Sequence, residues 1–127
     1  MSKATIYTEK APKAIGPYAQ AVAGCGSLLY TSGQLGIDAG TGSLAEGVEA
    51  QTHHAMKNIG EILKAAGLTY DHIVKTTIFV VDLADFLTVN QVYAGCFGAS
   101  FPARSCVQVA ALPLGGLVEI ECVAMKE

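Results

Sequence analysis

The sequence contains little charge and only one arginine. Charged residues make up 15% of the 127 residues, the formal net charge is −3, and Arg104 is the single arginine. The lysines are scattered along the chain rather than grouped. Proteins that bind nucleic acid usually carry a basic stripe or patch, so this composition disfavours nucleic acid as a partner.

Patterns typical of metal sites and disulfide frameworks are also missing. The cysteines are Cys25, Cys96, Cys106 and Cys122. Without a Cys-x-x-Cys pair, this spacing predicts free thiols. His53 and His54 are adjacent, and neighbours on a helix point about 100° apart, so they do not bind one metal from one face. We therefore expect no metal site and no cofactor.

Long hydrophobic runs are absent from the sequence as well. No run approaches the ~20 residues that a membrane-spanning helix needs. The first three residues lead directly into a polar, proline-containing segment, in which no secretory signal is visible. These observations predict a cytoplasmic protein that does not enter a membrane.

The chain is nevertheless rich in hydrophobic residues. They make up 51% of the sequence, and the mean hydropathy is +0.40. We expect a single domain spanning residues 1–127, which can bury roughly two thirds of its unfolded surface. The composition is hydrophobic for a small monomer, which indicates that some apolar surface meets another subunit.

The hydrophobic periodicity predicts an α+β fold with the order β-β-β-α-β-α-β-β. Predicted strands cover residues 3–8, 19–23, 28–32, 73–81, 105–110 and 117–125. The first helix is predicted to start at a capping box formed by Ser43 and Glu46 and to end at Gly67. The second helix is predicted to run from Asp82 to about Gly98. Residues 24–27 predict a hairpin, and residues 35–43 a loop.

The predicted strand at residues 73–81 is β-branched and apolar on much of both faces. This pattern predicts a central position in the sheet. Two helices can cover only one face of a mixed sheet. The other face, with side chains such as Phe79 or Val81, would be open to water, so we expect oligomerisation through it.

Arg104 has apolar neighbours at the start of a predicted strand. A guanidinium keeps its proton, so it needs an anion, water or both in such a place. Its planar fork fits a carboxylate. Glu119 or Glu121, across one predicted hairpin, are candidates, and so is the carboxylate of a small ligand. An internal Arg–Glu pair or an exposed arginine is the alternative interpretation.

Two further polar positions allow two interpretations each. Asn90 shares a predicted helix face with Phe86, Tyr93 and Phe97. A buried amide must find hydrogen-bond partners, so Asn90 either ties the backbone in place or faces a polar pocket. Tyr18 follows a rigid Gly-Pro loop and is either an amphipathic wall residue or part of a pocket.

Six motifs occur in order along the chain. They are Ala14-Ile15-Gly16-Pro17-Tyr18, Thr31-Ser32-Gly33-Gln34, Ala65-Ala66-Gly67, Val74-Lys75-Thr76-Thr77, Phe101-Pro102-Ala103-Arg104-Ser105 and Glu119-Ile120-Glu121. Together they resemble the RidA family, also called YjgF/YER057c/UK114, over essentially the whole chain. The resemblance is greatest to the branch that acts as 2-iminobutanoate/2-iminopropanoate deaminase.

The resemblance implies a chorismate-mutase-like fold, in which a mixed β-sheet carries two helices on one face. It also implies a homotrimer around a barrel-like core, with three clefts between subunits. The family's arginine holds the substrate carboxylate and corresponds to Arg104, while the glutamate that orders the attacking water corresponds to Glu119. The other cleft residues implied in this way are Tyr18, Ser32, Asn90 and Cys106, the last through its main chain.

The activity that the resemblance implies is hydrolysis of reactive 2-imino acids, which arise from enamine and imine intermediates. The products are 2-oxo acids and ammonia, and the reaction protects enzymes that depend on pyridoxal phosphate. No histidine base stands near Cys106 in the sequence, so we expect this cysteine to be structural rather than nucleophilic. Alternatives are an endoribonuclease or translation inhibitor, a non-catalytic ligand-binding or chaperone-like trimer, and chorismate mutase, which shares the fold.

Overall fold

The computed structural model describes residues 3–127 and contains a mixed sheet and two α-helices in that range. The strands are β1 (Lys3–Ile6), β2 (Ala21–Gly24), β3 (Ser27–Tyr30), β4 (Gln34–Leu35), β5 (Ile37–Asp38), β6 (Ser43–Leu44), β7 (Ile73–Val80), β8 (Ala103–Gln108) and β9 (Val118–Lys126). The helices are α1 (Gly47–Ala65) and α2 (Phe86–Ala94). The predicted α+β class is confirmed.

β7 lies in the centre of the main sheet, as its apolar sequence predicts. The strand order is β3-β9-β7-β8, and β4 pairs with β9 beyond the end of β3. β9 runs antiparallel to β7, whereas β8 runs parallel to it. β1 and β2 form a separate antiparallel pair, as do β5 and β6. The mixed sheet is therefore built around one long apolar strand.

α1 is an amphipathic helix that ends where the sequence predicts. Its most buried apolar side chains, Ala55, Met56, Ile59 and Leu63, are at most 1% exposed. Gly67, with φ of 76°, follows its end in a conformation that favours glycine. The predicted capping box is wrong, because the helix begins at Gly47 and Ser43 instead pairs with Asp38 between β5 and β6.

Both helices cover the same face of the sheet. Alternate side chains of β7 and β9 enter a core that α1 and α2 complete. The strands contribute Ile78, Val80, Val118 and Ile120 to this core, and α2 contributes Val89 and Tyr93. No helix in residues 3–127 is both long enough and apolar enough to span a bilayer. The prediction of two helices on one face of the sheet is confirmed.

The opposite face of the main sheet is left uncovered by residues 3–127. On this face Leu28 and Tyr30 of β3 are 53% and 70% exposed, and Val107 of β8 is 45% exposed. Phe79 also points to this side, because its neighbours along β7 point into the core. Val81 lies one residue beyond β7. An open, partly apolar sheet face was predicted, and it is present.

Several predicted connections are wrong. Residues 24–27 do not close a hairpin, because β2 pairs with β1 whereas β3 pairs with β9. β8 and β9 do not form a hairpin either, because β7 lies between them. The predicted loop at residues 35–43 contains β5 and reaches into β6. The two errors in strand pairing before it concern partners distant in sequence, which local patterns do not specify.

α2 is shorter than predicted. Asp82 does act as a cap, since its Oδ1 accepts a hydrogen bond from the Ala84 N–H at 2.9 Å. The segment that it caps, however, is a short 3₁₀ turn at residues 83–85, and α2 begins only at Phe86. This turn leads from the end of β7 into a helix that faces β8.

Candidate functional site

Arg104 lies in β8 on the face of the sheet that carries the helices. Its backbone is opposite Thr76 of β7, which is only 1% exposed. Residues directly opposite each other on neighbouring strands point to the same face, so the guanidinium is directed towards the helices. Because β8 is an edge strand, the side chain is half-buried rather than enclosed.

Three residues of α2 contact this guanidinium. Nη1 of Arg104 donates a hydrogen bond to Oδ1 of Asn90 at 2.6 Å. Cζ of Arg104 is 5.5 Å from the ring centroid of Phe86 and 5.3 Å from that of Tyr93, within the ~6 Å range of cation–π interactions. The three residues are spaced i, i+4 and i+7, so one helix face supplies all three contacts.

Tyr18 contributes a third aromatic ring from the N-terminal loop. Its ring centroid is 5.5 Å from Cζ of Arg104. The Tyr18 hydroxyl accepts a hydrogen bond from the Ile15 N–H at 3.2 Å, which closes the proline-containing loop. A backbone bridge between Ala19 and Ala103 attaches this loop to β8. The loop thereby holds Tyr18 beside the arginine.

Arg104 forms no ion pair with Glu119 or Glu121, although all three are within the described residues. In residues 3–127 its one side-chain hydrogen bond goes to Asn90, and the surrounding aromatic faces contribute π density rather than acceptor atoms. A guanidinium has five N–H donors. Most of the fork therefore has no acceptor from this part of the chain and is available to a ligand.

A small cavity opens beside Arg104. Its volume is about 210 Å³, and its lining residues are Ile15, Tyr18, Phe86, Arg104 and Cys106. This is less than the roughly 300 Å³ at which pockets for drug-sized ligands begin. With an aromatic wall and one cation, the cavity suits a small anion with a short apolar tail.

Cys106 lies two residues after Arg104 on the same face of β8. Burial raises the pKa of its thiol, and the Arg104 charge opposes this shift only in part. The thiol is therefore neutral near pH 7, and a neutral thiol is a weak nucleophile. This environment supports the expectation that Cys106 has a structural rather than a nucleophilic role.

Glu119 lies on the opposite face of the sheet from Arg104. It pairs with Phe79 across β9 and β7, and Phe79 points to the uncovered face. Thr76, the residue opposite Arg104, is three positions away from Phe79, so the two side chains leave the sheet in opposite directions. Arg104 and Glu119 of one chain therefore do not meet on one small ligand.

The Glu119 carboxylate packs against the backbone at Gly33. A Cβ atom at position 33 would lie 2.6 Å from Cδ of Glu119, so the approach requires glycine. Ser32 is the exposed residue before it, in the link between β3 and β4. Glu119, Gly33 and Pro113 line one part of a groove of about 530 Å³.

The predicted site residues thus form two groups. Tyr18, Asn90, Arg104 and Cys106 lie together on the helix side, whereas Ser32 and Glu119 lie beside the groove. Phe86 and Tyr93 belong to the first group but were not predicted as site residues, although their spacing from Asn90 was visible in the sequence. In residues 3–127, no group of three or more His, Cys, Asp and Glu side chains is arranged to hold a metal ion.

The chain is similar to several known proteins over nearly its whole length. The family model described as endoribonuclease L-PSP matches residues 8–126. A Salmonella typhimurium protein named 2-iminobutanoate/2-iminopropanoate deaminase is 53% identical over 129 residues, which cover 99% of each chain. The crystal structure of RidA from the Antarctic bacterium Psychrobacter has a TM-score of 0.78 at 45% identity, covering 97% of this chain and 99% of that one. The structure of E. coli TdcF with bound serine has a TM-score of 0.78 at 42% identity, covering 98% and 99%.

Proposed function

The chain belongs to the RidA family, and from this membership and the site around Arg104 we propose that it is an enzyme that hydrolyses small 2-imino acids. The substrates are 2-iminobutanoate, 2-iminopropanoate and similar compounds, and the products are the 2-oxo acid and ammonia. The Salmonella relative is named for this activity. Removal of such reactive imines protects the enzymes that depend on pyridoxal phosphate.

The observation that carries this proposal is the environment of Arg104. The guanidinium is half-buried and surrounded by aromatic rings, and no acid of residues 3–127 pairs with it. Burying a cation without an anion is costly, and a substrate carboxylate held by two hydrogen bonds supplies that anion. The structure of E. coli TdcF contains bound serine, which carries the same carboxylate.

Glu119 of a second copy completes the site. Within one chain Glu119 points to the uncovered sheet face, away from Arg104. We therefore propose a homotrimer whose uncovered faces meet around a central core and in which Glu119 of one copy lies beside the Arg104 cavity of its neighbour. The exposed apolar side chains of Leu28, Tyr30 and Val107 on that face support its burial between copies.

The reaction needs one water molecule and no covalent intermediate with the enzyme. Arg104 anchors the substrate carboxylate, which fixes the neighbouring C=N carbon. Glu119 accepts a proton from water as the water oxygen bonds to that carbon, and the electrons of the C=N bond move to nitrogen, which takes up a proton. The resulting 2-amino-2-hydroxy acid expels ammonia and leaves the 2-oxo acid. Tyr18, Asn90 and the main chain at Cys106 line the site in the copy that supplies Arg104, and Ser32 lines it in the copy that supplies Glu119.

A coupled assay tests this proposal. A pyridoxal-phosphate-dependent dehydratase generates 2-iminobutanoate from threonine, and imine decay is followed with and without the protein. We expect accelerated decay. An RNA substrate is incubated in parallel, because the matching family model is described as an endoribonuclease. RNA cleavage without any acceleration of imine decay would favour the nuclease alternative instead.

Replacing Gly33 with alanine tests whether Glu119 must pack against the backbone. The new Cβ atom displaces the Glu119 carboxylate. We expect kcat to fall roughly 10- to 100-fold, because misplacing a catalytic group by about 1 Å lowers the rate by up to about that factor. KM should change little. Gly98→Ala is the control, because a Cβ at that position meets no atom within 4 Å. Equal effects of the two substitutions would contradict the prediction.

Replacing Cys106 with alanine distinguishes a structural cysteine from a nucleophile. Because its raised pKa keeps the thiol neutral, we expect kcat/KM for 2-iminobutanoate to change less than about threefold. The same neutral thiol should react slowly with iodoacetamide at pH 7. A loss beyond about 100-fold in a folded Cys106→Ala protein would assign the thiol a covalent role.

A further inference from the structure

We propose that the inner face of α2, formed by Phe86, Asn90 and Tyr93, is an arginine-holding face and that Phe86 and Tyr93 are positioning residues for Arg104. The inference rests on the proposed function, because it concerns how the enzyme keeps one guanidinium ready for the substrate carboxylate. Neither aromatic residue need touch the substrate's reacting atoms. Both act through the arginine.

The aromatic contacts surround the guanidinium from two separate segments of the chain. Cζ of Arg104 lies 5.5 Å from the ring centroids of Tyr18 and Phe86 and 5.3 Å from that of Tyr93. Cation–π interactions are strongest where the cation has lost part of its water. Arg104 is half-buried, so these contacts offset part of the cost of removing its charge from water.

Aromatic rings have an advantage over an acidic partner in this position. A glutamate would stabilise the guanidinium by accepting two of its N–H groups and would thereby occupy the fork that binds a carboxylate. Ring faces attract the cation without accepting those hydrogen bonds in the usual geometry. Asn90 fixes one end through Nη1 at 2.6 Å. The remaining donors stay available for the substrate.

Tyr93 is itself held rigidly. It is 0% exposed, and its hydroxyl is 2.8 Å from Oγ1 of Thr76, the residue opposite Arg104 in the sheet. Its ring centroid is 4.8 Å from that of Phe97. The Tyr93 ring is therefore fixed to the same central strand that positions the Arg104 backbone, so the ring and the guanidinium keep one relative geometry.

Substitutions of the half-buried Phe86 test the inference. Phe86→Leu keeps an apolar side chain but removes the π face, and pentafluorophenylalanine at position 86 keeps the ring shape but reverses its quadrupole. We expect each to raise KM for 2-iminobutanoate and the Kd for 2-oxobutanoate roughly three- to tenfold. We expect kcat to stay within about twofold, because carboxylate binding is equal in the ground and transition states. Phe86→Tyr keeps the ring face, so its KM and Kd should equal those of the unmodified protein.

Gln91→Ala, on the exposed side of the same helix, is the matched control and should leave KM and Kd unchanged. Loss of folded protein alone would lower apparent kcat without raising Kd, so it is distinguishable from loss of positioning. Unchanged KM and Kd in both Phe86 variants, while Arg104→Ala loses most of its hydrolytic activity, would overturn the inference and leave the proposed function intact. Hydrolysis that is undiminished in Arg104→Ala would instead overturn the proposed function.

Discussion

Replacing Arg104 with alanine is expected to lower kcat/KM for 2-iminobutanoate by roughly 10²- to 10⁴-fold. Two hydrogen bonds from a cation to a carboxylate, each contributing about 1.5–3 kcal/mol, account for a loss of this size. Binding of 2-oxobutanoate, measured by calorimetric titration, should be lost in parallel. Folding should persist, because removal of a half-buried charge offsets the loss of its aromatic contacts.

Two further variants show whether charge alone is sufficient at this position. Arg104→Lys keeps the charge but loses the planar fork and the bond to Asn90, so we expect it to recover only a small part of the activity. Lys57→Ala, on the exposed side of α1, removes one positive charge elsewhere and should behave as the unmodified protein. Full activity of Arg104→Lys would contradict the hypothesis that the planar fork binds the carboxylate through two hydrogen bonds.

The sequence predicted best those features that depend on neighbours along the chain. The period of apolar residues predicted α1, and the apolar, β-branched run predicted the central strand β7, because both patterns are local in the sequence. For Arg104 the residues alone left an internal ion pair, an exposed arginine and a ligand carboxylate open, and only the resemblance to the RidA family implied a role in the site. The helical spacing of Asn90 with Phe86 and Tyr93 also predicted that these side chains share one face of α2, which is the face that contacts Arg104.

Strand pairing between distant segments could not be read from the sequence in the same way. An Arg104–Glu119 pair looked feasible across one hairpin, but β7 lies between β8 and β9. Its register sends the two side chains to opposite faces of the sheet. The close approach of Glu119 to Gly33 likewise depends on the pairing of β4 with β9. These contacts depend on which strands pair, and many pairings satisfy the same alternation.

Replacing Glu119 with glutamine is expected to lower kcat by roughly 10²- to 10⁴-fold, which is the usual contribution of a positioned general base. KM should change much less, because in the proposed mechanism the carboxylate acts on water rather than on the group that Arg104 binds. Steady-state kinetics with 2-iminobutanoate separate the two constants. Glu121→Gln is the matched control, since Glu121 shares the strand and the sheet face of Glu119, and it should retain nearly full kcat.

Mixing the two inactive variants, Arg104→Ala and Glu119→Gln, tests whether one site uses both residues from different copies. Arg104 and Glu119 leave opposite faces of one sheet, so an active site that uses both residues has to take them from two chains. If each site joins neighbouring copies in a ring, random mixed assemblies contain intact sites in about a quarter of positions. Co-refolded mixtures should therefore regain up to about that fraction of activity.

Recovery requires exchange of subunits, so a mixture of the two preassembled variants is the negative control. If native mass spectrometry shows mixed assemblies, through the mass difference between arginine and alanine, but these stay inactive, Arg104 and Glu119 do not share a site between copies.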